Sequence, residues 1–278
     1  MSRIKKILQE NLRGLTKEEL SSLPSTYQKI GDIIILDLKR NLLKYQKRIG
    51  RIFLKIIPNT RVVCRRYGSI KGEYRKPQIK IIVGEKDTET IHKEHGIFYK
   101  LDVAKIMFSK GNLNERKRII DLVRKNEVIV DMFAGIGYFS LGIAKFASPK
   151  RIYSIEKNPE AFHYLCENIK LNGVKNIVKP IHADCREIAL KLGRIADRVI
   201  MGLLPSCKEY LPSAMKLIKR NGILHYHGIE KEKNSKSLLE DVEEVAKREG
   251  FEVNLLRTIK VKSYAPKIYH FVLDCQIL

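Results

Sequence analysis

The sequence predicts an α/β protein, in which a doubly wound, Rossmann-like sheet follows a smaller α+β domain. After residue 105, β-branched runs alternate with segments of helical periodicity, as in a parallel sheet covered by helices on both faces. Before it, two helical segments and several short apolar runs are separated by glycine and proline. We therefore expect a basic α+β domain over residues 1–105 and a Rossmann-like domain over residues 106–278.

The first domain combines helices with short strands. Residues 2–20 have the apolar spacing of a helix, and Thr16 with Glu19 has the spacing of a capping box that begins a second short helix. Residues 40–57 predict a basic amphipathic helix. Strands are predicted over residues 33–38, 61–67, 78–83 and 97–103.

The second domain begins with a predicted helix over residues 114–125, followed by alternating strands and helices. Strands are predicted over residues 127–131, 151–155, 177–182, 196–201 and 222–227. The helices between and after them are predicted over residues 159–172, 186–192, 210–219 and 235–249. Two further strands, 252–262 and 269–276, predict an antiparallel hairpin at the edge of the sheet.

The charge of the chain predicts a partner covered with phosphates. The 278 residues include 54 Lys and Arg against 31 Asp and Glu, a formal net charge of +23. The excess is densest in residues 1–100, which carry 23 basic and 10 acidic residues. The basic residues that we single out for nucleic-acid contact are Lys47, Arg48, Arg65, Arg66 and Lys262.

Composition also excludes several classes of protein. No run of about 18 apolar residues exists, and the N-terminus lacks the apolar core of a signal peptide, so we expect a cytoplasmic protein without a membrane partner. The five cysteines contain no CxxC pair, and the histidines are scattered, so we expect neither a disulfide framework nor a metal site. Our expectation for the oligomeric state is a monomer.

One motif carries the chemistry of the second domain. Residues 128–141, VIVDMFAGIGYFSL, place a strand that ends at Asp131 before a turn containing Gly135 and Gly137, and a helix follows. Such a turn lets a ligand approach the backbone closely. Ser140 stands where a dinucleotide-binding fingerprint has its third glycine, so a dinucleotide oxidoreductase is the least favoured class.

Two later carboxylates turn this motif into a nucleoside pocket. Glu156 ends the next strand, where a carboxylate accepts ribose hydroxyls. Asp184 ends the third strand and suits an adenine amino group, while the backbone N–H of Cys185 suits a ring nitrogen. Because the carboxyl ends of parallel strands share one edge of the sheet, we expect these groups to face one ligand.

The pattern resembles class I S-adenosylmethionine-dependent transferases over about residues 105–278. The resemblance implies S-adenosylmethionine as cofactor, with Asp131 near its methionine part, Glu156 at the ribose and Asp184 at the adenine. It also implies that Ser109 and Arg116 lie near the amino-acid end, where Arg116 suits a carboxylate. The full set of implied cofactor-binding residues is Ser109, Arg116, Asp131, Phe133, Gly135, Glu156, Asp184 and Cys185.

A narrower resemblance covers nearly the whole chain. SSLPSTYQKIGDIIIL at residues 21–36, NERKR at 114–118, DMFAGIGYFS at 131–140 and SYAP at 263–266 are similar to archaeal-type tRNA guanine-37 modification enzymes. That family includes the tRNA (guanine-37 N1)-methyltransferase and the wyosine-pathway aminocarboxypropyl transferase. The second activity transfers the 3-amino-3-carboxypropyl group to 4-demethylwyosine at position 37 of tRNA(Phe) and releases 5′-methylthioadenosine.

The end of the fourth strand distinguishes the two activities. The methyltransferase carries an Asn where this chain has Gly202, and the form Gly-Leu-Leu-Pro-Ser at 202–206 resembles the aminocarboxypropyl transferase. We also expect the protein to begin at the small domain, without the additional N-terminal domain that is usual in the methyltransferase. We therefore expect Gly202, Pro205 and Ser206 to shape an acceptor pocket for aminocarboxypropyl transfer to the tRNA anticodon loop. Guanine-37 methylation and a non-catalytic RNA-binding role remain the alternatives.

Overall fold

The computed structural model describes residues 2–108, 112–231 and 235–278. The chain divides into two compact units, Met1–Phe108 and Ser109–Leu278. This division falls three residues after the boundary expected from the sequence, because the segment that follows the last strand of the first unit still packs on that unit. Phe108 lies against the rings of His92 and Tyr99 there.

The first unit begins with helices. They are α1 (Arg3–Asn11), α2 (Lys17–Ser22) and α3 (Gln46–Ile56), and a 3-10 helix, Arg40–Tyr45, leads into α3. The predicted capping box is confirmed, since Thr16 Oγ1 accepts the N–H of Glu19 and the Glu19 carboxylate accepts the N–H of Thr16. A continuous helix over residues 2–20 is wrong, because Gly14 adopts a left-handed conformation (φ 77°) that interrupts it.

Four strands of the first unit form one sheet in the order β1-β2-β3-β4, and two more form a separate hairpin. They are β1 (Gln28–Ile30), β2 (Ile33–Leu36), β3 (Val62–Arg66), β4 (Ile79–Gly84), β5 (Glu89–Glu94) and β6 (Ile97–Asp102). Sequence analysis missed β1 and β5, which are short or rich in polar residues and so lack an apolar run. Ile34 and Leu36 of the fully buried β2 lie in one core cluster with Ile49 and Phe53 of α3.

The second unit alternates strands with helices as predicted. Its helices are α4 (Leu113–Leu122), α5 (Ser140–Phe146), α6 (Pro159–Leu171), α7 (Cys185–Leu192), α8 (Leu211–Leu217) and α9 (Lys236–Arg248). Its strands are β7 (Val128–Asp131), β8 (Arg151–Glu156), β9 (Val178–His182), β10 (Ala196–Met201), β11 (Ile218–Glu230), β12 (Val253–Ala265) and β13 (Ile268–Ile277). They form one sheet in the order β12-β13-β11-β10-β7-β8-β9.

Five of these strands, from β9 to β11 in the sheet order, run parallel to one another. The last two strands pair antiparallel, as expected, but only β12 lies at the edge. β13 inserts between β11 and β12 because its apolar residues are buried on both faces, whereas β12 exposes side chains along most of its length.

Two further features concern residues 2–108, 112–231 and 235–278. None of the helices in these ranges is long and apolar enough to cross a membrane. Among the same residues, no group of three or more His, Cys, Asp or Glu side chains is placed to hold a metal ion.

Candidate active site

The carboxyl ends of four parallel strands are joined by backbone hydrogen bonds at one edge of the second sheet. Met132 N donates to Ile200 O at 3.0 Å, which ties the turn after β7 to the end of β10. Ala134 N donates to Ile155 O at 2.9 Å and thereby connects this turn to β8. Ala183 N donates to Glu156 O at 3.2 Å, which connects β8 to β9. The predicted strand-end residues therefore lie side by side.

Asp131 is the fully buried acid of this edge. Its Oδ2 accepts a 2.7 Å hydrogen bond from Ser140 Oγ, and Ser154 Oγ donates to Ser140 Oγ at 2.7 Å. Within the described residues, Asp131 Oδ1 has no hydrogen-bond partner. Burial raises the pKa of Asp131 to about 6, against the hydrogen bond from Ser140. A buried acceptor with an open position suits a cationic or hydrogen-bond-donating ligand.

The turn after β7 requires its two glycines. Gly135 and Gly137 have φ values of 57° and 98°, which side-chain-bearing residues rarely adopt. A Cβ atom at Gly137 would lie 2.6 Å from Leu141 Cγ, and one at Gly135 would lie 2.6 Å from the ring of Tyr138. The turn therefore has neither the backbone conformation nor the space for a side chain at either position.

Glu156 fastens this turn to the end of β8. Its Oε2 accepts the N–H of Gly135 and its Oε1 accepts the N–H of Asn158, both at 2.7 Å. Burial raises the pKa of Glu156, and the backbone N–H groups partly oppose the shift. Since an ionised carboxylate has about four acceptor positions, Glu156 retains capacity for the hydroxyl pair of a ribose.

Asp184 differs from Glu156, because cations already fill its acceptor positions. Asp184 Oδ1 accepts from the backbone N–H and Nε of Arg186, and Oδ2 accepts from Arg186 Nη2 at 2.7 Å and Lys157 Nζ at 3.1 Å. Arg186 is the main cause that holds the pKa of Asp184 well below its usual range. An adenine amino group would bind this carboxylate only if Arg186 or Lys157 moved.

Arg186, Tyr210 and Phe133 contact one another in series and form an aromatic and cationic wall. The guanidinium lies 4.9 Å from the centre of the Tyr210 ring, and Tyr210 meets Phe133 edge-to-face at 5.0 Å. The wall therefore connects the end of β9 with the turn after β7. Of these residues, Phe133 was predicted from the sequence, whereas Arg186 and Tyr210 were not. An Arg two residues after an Asp at a strand end is the signal that indicates the Arg186–Asp184 ion pair.

Arg116 lies on α4 and is 7% exposed, so it is not the surface charge that its basic neighbours suggest. Its guanidinium stands 4.8 Å from the centre of the Tyr138 ring, and Tyr138 in turn covers the position where a Gly135 Cβ would lie. The structure therefore brings Arg116 to the glycine turn. Ser109, predicted for the same end of the ligand, lies outside the described residues.

The segment after β10 carries the predicted acceptor-pocket residues. Gly202 is half-buried, and a Cβ atom added to it would lie 3.0 Å from Phe139 Cε2. An Asn at this position would therefore require Phe139 to shift. Pro205 and Ser206 are exposed, and Ser206 Oγ accepts the N–H of Lys208 at 3.2 Å.

The cysteines near this edge are not arranged for nucleophilic chemistry. Burial raises the pKa of the Cys185 thiol to about 12 and that of Cys207 further still. Cys207 Sγ donates to the carbonyl oxygens of Met201 and His227. Cys185 begins α7 as a packed residue, so its predicted contribution is limited to its backbone N–H.

A buried chain of ionisable groups, which sequence analysis missed, crosses the same unit. Arg118 donates to Asp274 at 2.5 and 3.0 Å, and His225 Nδ1 lies 2.6 Å from Asp274 Oδ1. Arg198 Nη1 lies 2.6 Å from His225 Nε2, and Arg198 also binds the Glu127 carboxylate at 2.7 and 2.9 Å. Because Arg donates only, His225 is neutral with its proton on Nδ1. Burial correspondingly lowers the pKa of His225.

The five basic residues predicted to contact nucleic acid differ in the solvent exposure of their side chains. Lys47 and Arg48 are exposed on α3, and Lys262 is half-buried on β12. Arg66 pairs with Asp37 at 2.8 Å. Arg65 is 9% exposed and donates to Gln46 Oε1 and its neighbour's carbonyl oxygen, so packing uses this guanidinium within the fold. Arg65 is therefore the least accessible of the five, and its contact with RNA stays a prediction that its burial disfavours.

The sheet order, with one antiparallel strand between β11 and β12, and the acidic and glycine-rich strand ends define a class I S-adenosylmethionine-dependent transferase fold. A solved structure described as P. horikoshii TYW2 in complex with MeSAdo superposes with a TM-score of 0.85, at 36% identity, over 99% of this chain and 98% of that chain. The models of the TRM5/TYW2 methyltransferase domain and the TYW2 N-terminal domain match residues 90–255 and 4–88. The chain belongs to the TRM5/TYW2 family.

Two relatives represent the two activities within this family. One, from Methanocaldococcus jannaschii, is named tRNA(Phe) (4-demethylwyosine(37)-C(7)) aminocarboxypropyltransferase and is 44% identical, over 90% of this chain and 97% of that protein. The other, from Pyrococcus abyssi, is named tRNA (guanine(37)-N(1))-methyltransferase Trm5b and is 40% identical, over 92% of this chain and 76% of that protein.

Proposed function

We propose that this chain is a cytoplasmic tRNA-modifying enzyme that transfers the 3-amino-3-carboxypropyl group of S-adenosylmethionine to 4-demethylwyosine at position 37 of tRNA(Phe). The main support is the similarity to the aminocarboxypropyltransferase of M. jannaschii over nearly the full length of both chains. The match of residues 4–88, in the small unit, to the TYW2 N-terminal domain supports the same assignment for the chain.

The residues at the strand ends fit the proposed cofactor. Asp131 offers a buried acceptor oxygen without a partner, and Glu156 retains acceptor positions beside the turn that contains Gly135 and Gly137. When bound, S-adenosylmethionine supplies a sulfonium whose γ-carbon is attacked by the base carbon, with 5′-methylthioadenosine leaving and the base carbon losing its proton. We assign Asp131 to the cationic methionine end, Glu156 to the ribose and Arg116 to the carboxylate.

The chain then contributes mainly alignment and charge complementarity. The buried Cys185 and Cys207 thiols are protonated at neutral pH, so neither supplies a nucleophile. The acidic pocket orients a cationic donor, and the segment from Gly202 to Ser206 bounds the space for the acceptor. Holding the two reacting carbons in line accounts for a large rate enhancement without covalent catalysis by a side chain.

N1-methylation of guanine 37 is the second candidate, supported by the 40% identity to the P. abyssi methyltransferase. Gly202 disfavours it, because glycine has no side chain to hold the guanine edge and a Cβ there would meet Phe139 at 3.0 Å. The two candidates differ in which carbon of the sulfonium is transferred, and therefore in both products.

Mass spectrometry of a reaction with S-adenosylmethionine distinguishes the candidates. tRNA(Phe) with 4-demethylwyosine or guanine at position 37 is incubated with the wild-type chain, and with Glu156→Ala as a control for contaminating activity. We expect a gain of about 101 Da on 4-demethylwyosine with release of 5′-methylthioadenosine, since that group replaces one hydrogen in the displacement. A gain of about 14 Da on guanine with S-adenosylhomocysteine would instead establish methyl transfer.

A further inference from the structure

The connection between β3 and β4 forms an ordered hairpin, residues 67–78, on the first unit. Tyr67 N donates to Gln78 O at 2.9 Å at its base, and Lys71 and Lys76 exchange two backbone hydrogen bonds at 3.1 and 2.9 Å. Arg75 N donates to Gly72 O at 3.0 Å and closes a four-residue turn at the tip. The tip therefore holds a defined shape, and binding through it would require little additional ordering.

This hairpin exposes large apolar side chains. Tyr67, Ile70 and Tyr74 are 54%, 46% and 47% exposed, and every residue from 67 to 74 is exposed. Tyr74 occupies the third position of the tip turn, which the hydrogen bond from Arg75 N to Gly72 O closes around it. Several large apolar groups on one short, ordered surface segment are typical of a site that binds a partner.

The charge around these side chains specifies the partner. Residues 67–80 contain four cations, Lys71, Arg75, Lys76 and Lys80, against Glu73, for a net charge of 4 − 1 = +3. Lys80 Nζ already lies 6.0 Å from the centre of the Tyr67 ring. Aromatic rings interleaved with cations match a chain of phosphates that carries flat, apolar rings, which describes RNA with unpaired bases. Phosphates would supply counter-charges to the exposed Lys71 and Lys76, whereas a purely apolar protein surface would not.

We propose that the 67–78 hairpin binds unpaired bases of the substrate tRNA, with the Tyr74 ring stacked on a base and Lys71 and Lys76 at the adjacent phosphates. The inference deepens the proposed function, on which it rests for the identity of the RNA. Stacking tolerates any base, so the hairpin contributes affinity and orientation, and the choice of reacting base stays with the pocket of the second unit.

Tyr74 variants test the stacking contact directly. The affinity for tRNA(Phe) is measured by filter binding for the wild type, Tyr74→Ala, Tyr74→Phe and Phe146→Ala. Phe146, which is 55% exposed on the second unit, serves as the matched exposed aromatic control. We expect Tyr74→Ala to weaken binding by about 5- to 100-fold, the range for one stacked base, and Tyr74→Phe and Phe146→Ala to bind like the wild type. Equal loss in Tyr74→Ala and Phe146→Ala, or none in either, overturns the inference.

A cross-linking experiment separates this inference from the proposed function. A photoreactive benzoylphenylalanine replaces Tyr74, and the cross-linked nucleotide of tRNA(Phe) is mapped. A cross-link to a single-stranded nucleotide supports the hairpin contact, and a cross-link only to paired nucleotides or none at all refutes it. If the wild type binds tRNA through the hairpin but yields neither product mass, the proposed reaction fails while the hairpin contact stands. Calorimetry with S-adenosylmethionine and thermal melting verify that Tyr74→Ala keeps its fold and its cofactor affinity.

Discussion

At the scale of single residues, the carboxylates at the ends of β7 and β9 show how the surroundings of an acid set its pKa. Asp131 is fully buried without a cation, and burial raises its pKa to about 6. Asp184 accepts from Arg186 and Lys157, which together hold its pKa well below the usual range. Of these two acids, Asp131 is therefore the one whose ionisation changes near physiological pH, and it is also the one with a buried oxygen that has no hydrogen-bond partner among the described residues.

The affinity for S-adenosylmethionine should fall as the pH drops below about 6. The cationic donor favours the ionised Asp131, while the free protein with a pKa of about 6 binds a proton there at lower pH. In the limit of exclusive binding to the ionised form, affinity falls about tenfold per pH unit below that value. Isothermal calorimetry from pH 5 to 8 measures this dependence.

Two controls accompany the pH series. Neutral 5′-methylthioadenosine should bind the wild type with little dependence on pH, because it lacks the sulfonium and the ammonium. Asp131→Asn should bind S-adenosylmethionine more weakly at pH 8 and lose the dependence below pH 6. An unchanged wild-type affinity for S-adenosylmethionine down to pH 5 would contradict the placement of Asp131 at the cationic end.

At the scale of secondary-structure elements, α4 is held to the sheet at two points by the buried chain of charges. Arg118 in the middle of α4 reaches Asp274 on β13, and Arg198 on β10 donates to the carbonyl oxygen of Leu122 at the end of α4. α4 also carries Arg116, which covers the glycine turn. These contacts therefore help to fix the position of Arg116 beside the glycine turn.

Replacing Asp274 should destabilise the second unit strongly. Asp274 is 2% exposed, and hydrogen bonds from His225 and Arg118 outweigh the cost of burial and hold its pKa well below the usual range. Asp274→Asn keeps the volume but removes one of the two carboxylates that Arg118 binds and leaves Glu115, at 2.8 and 2.7 Å, as the other. We therefore expect a loss of about 1.5–3 kcal/mol, the range for hydrogen bonds to charged groups. Urea denaturation followed by circular dichroism measures the free energy of unfolding.

Lys170→Ala provides the matched comparison for Asp274→Asn. Lys170 pairs with Glu167 at 3.2 Å and is 73% exposed, so its loss should cost at most about 1 kcal/mol. If the two variants unfold with similar free energies, the buried chain does not anchor α4. A further outcome is that Asp274→Asn is destabilised and still retains its affinity for S-adenosylmethionine at low temperature. That result would mean that the buried series of charged groups contributes to stability and not to cofactor binding.

At the scale of the whole molecule, the net charge of +23 predicts tRNA binding that weakens steeply with salt. Lys47 and Arg48 are exposed on α3, and each is expected to neutralise one phosphate. Lys47→Ala and Arg48→Ala should each make the slope of log affinity against log salt about one unit shallower, whereas Lys170→Ala, whose charge is already paired, should not. Filter binding at several salt concentrations tests this prediction. Unchanged slopes would mean that Lys47 and Arg48 on α3 do not contact RNA phosphates.

The sequence by itself determined the fold class and the position of the cofactor turn. Alternating strand and helix periodicity is a local property, so it predicted the sheet strands of the second unit before any contact was known. The conformation at Gly135 and Gly137 is likewise local, because it depends on the absence of a side chain. Local backbone preferences of this kind can be read without knowing which segments pack together.

Only the tertiary structure decided which distant residues meet. Arg118 and Asp274 pair across 156 residues, β13 lies inside the sheet next to β11, and Arg65 turns inward although its neighbours are basic. Each outcome depends on desolvation and packing summed over several elements, which single-sequence periodicity does not encode. For the same reason the occupied acceptor positions of Asp184 became visible only when Arg186 and Lys157 were placed beside it.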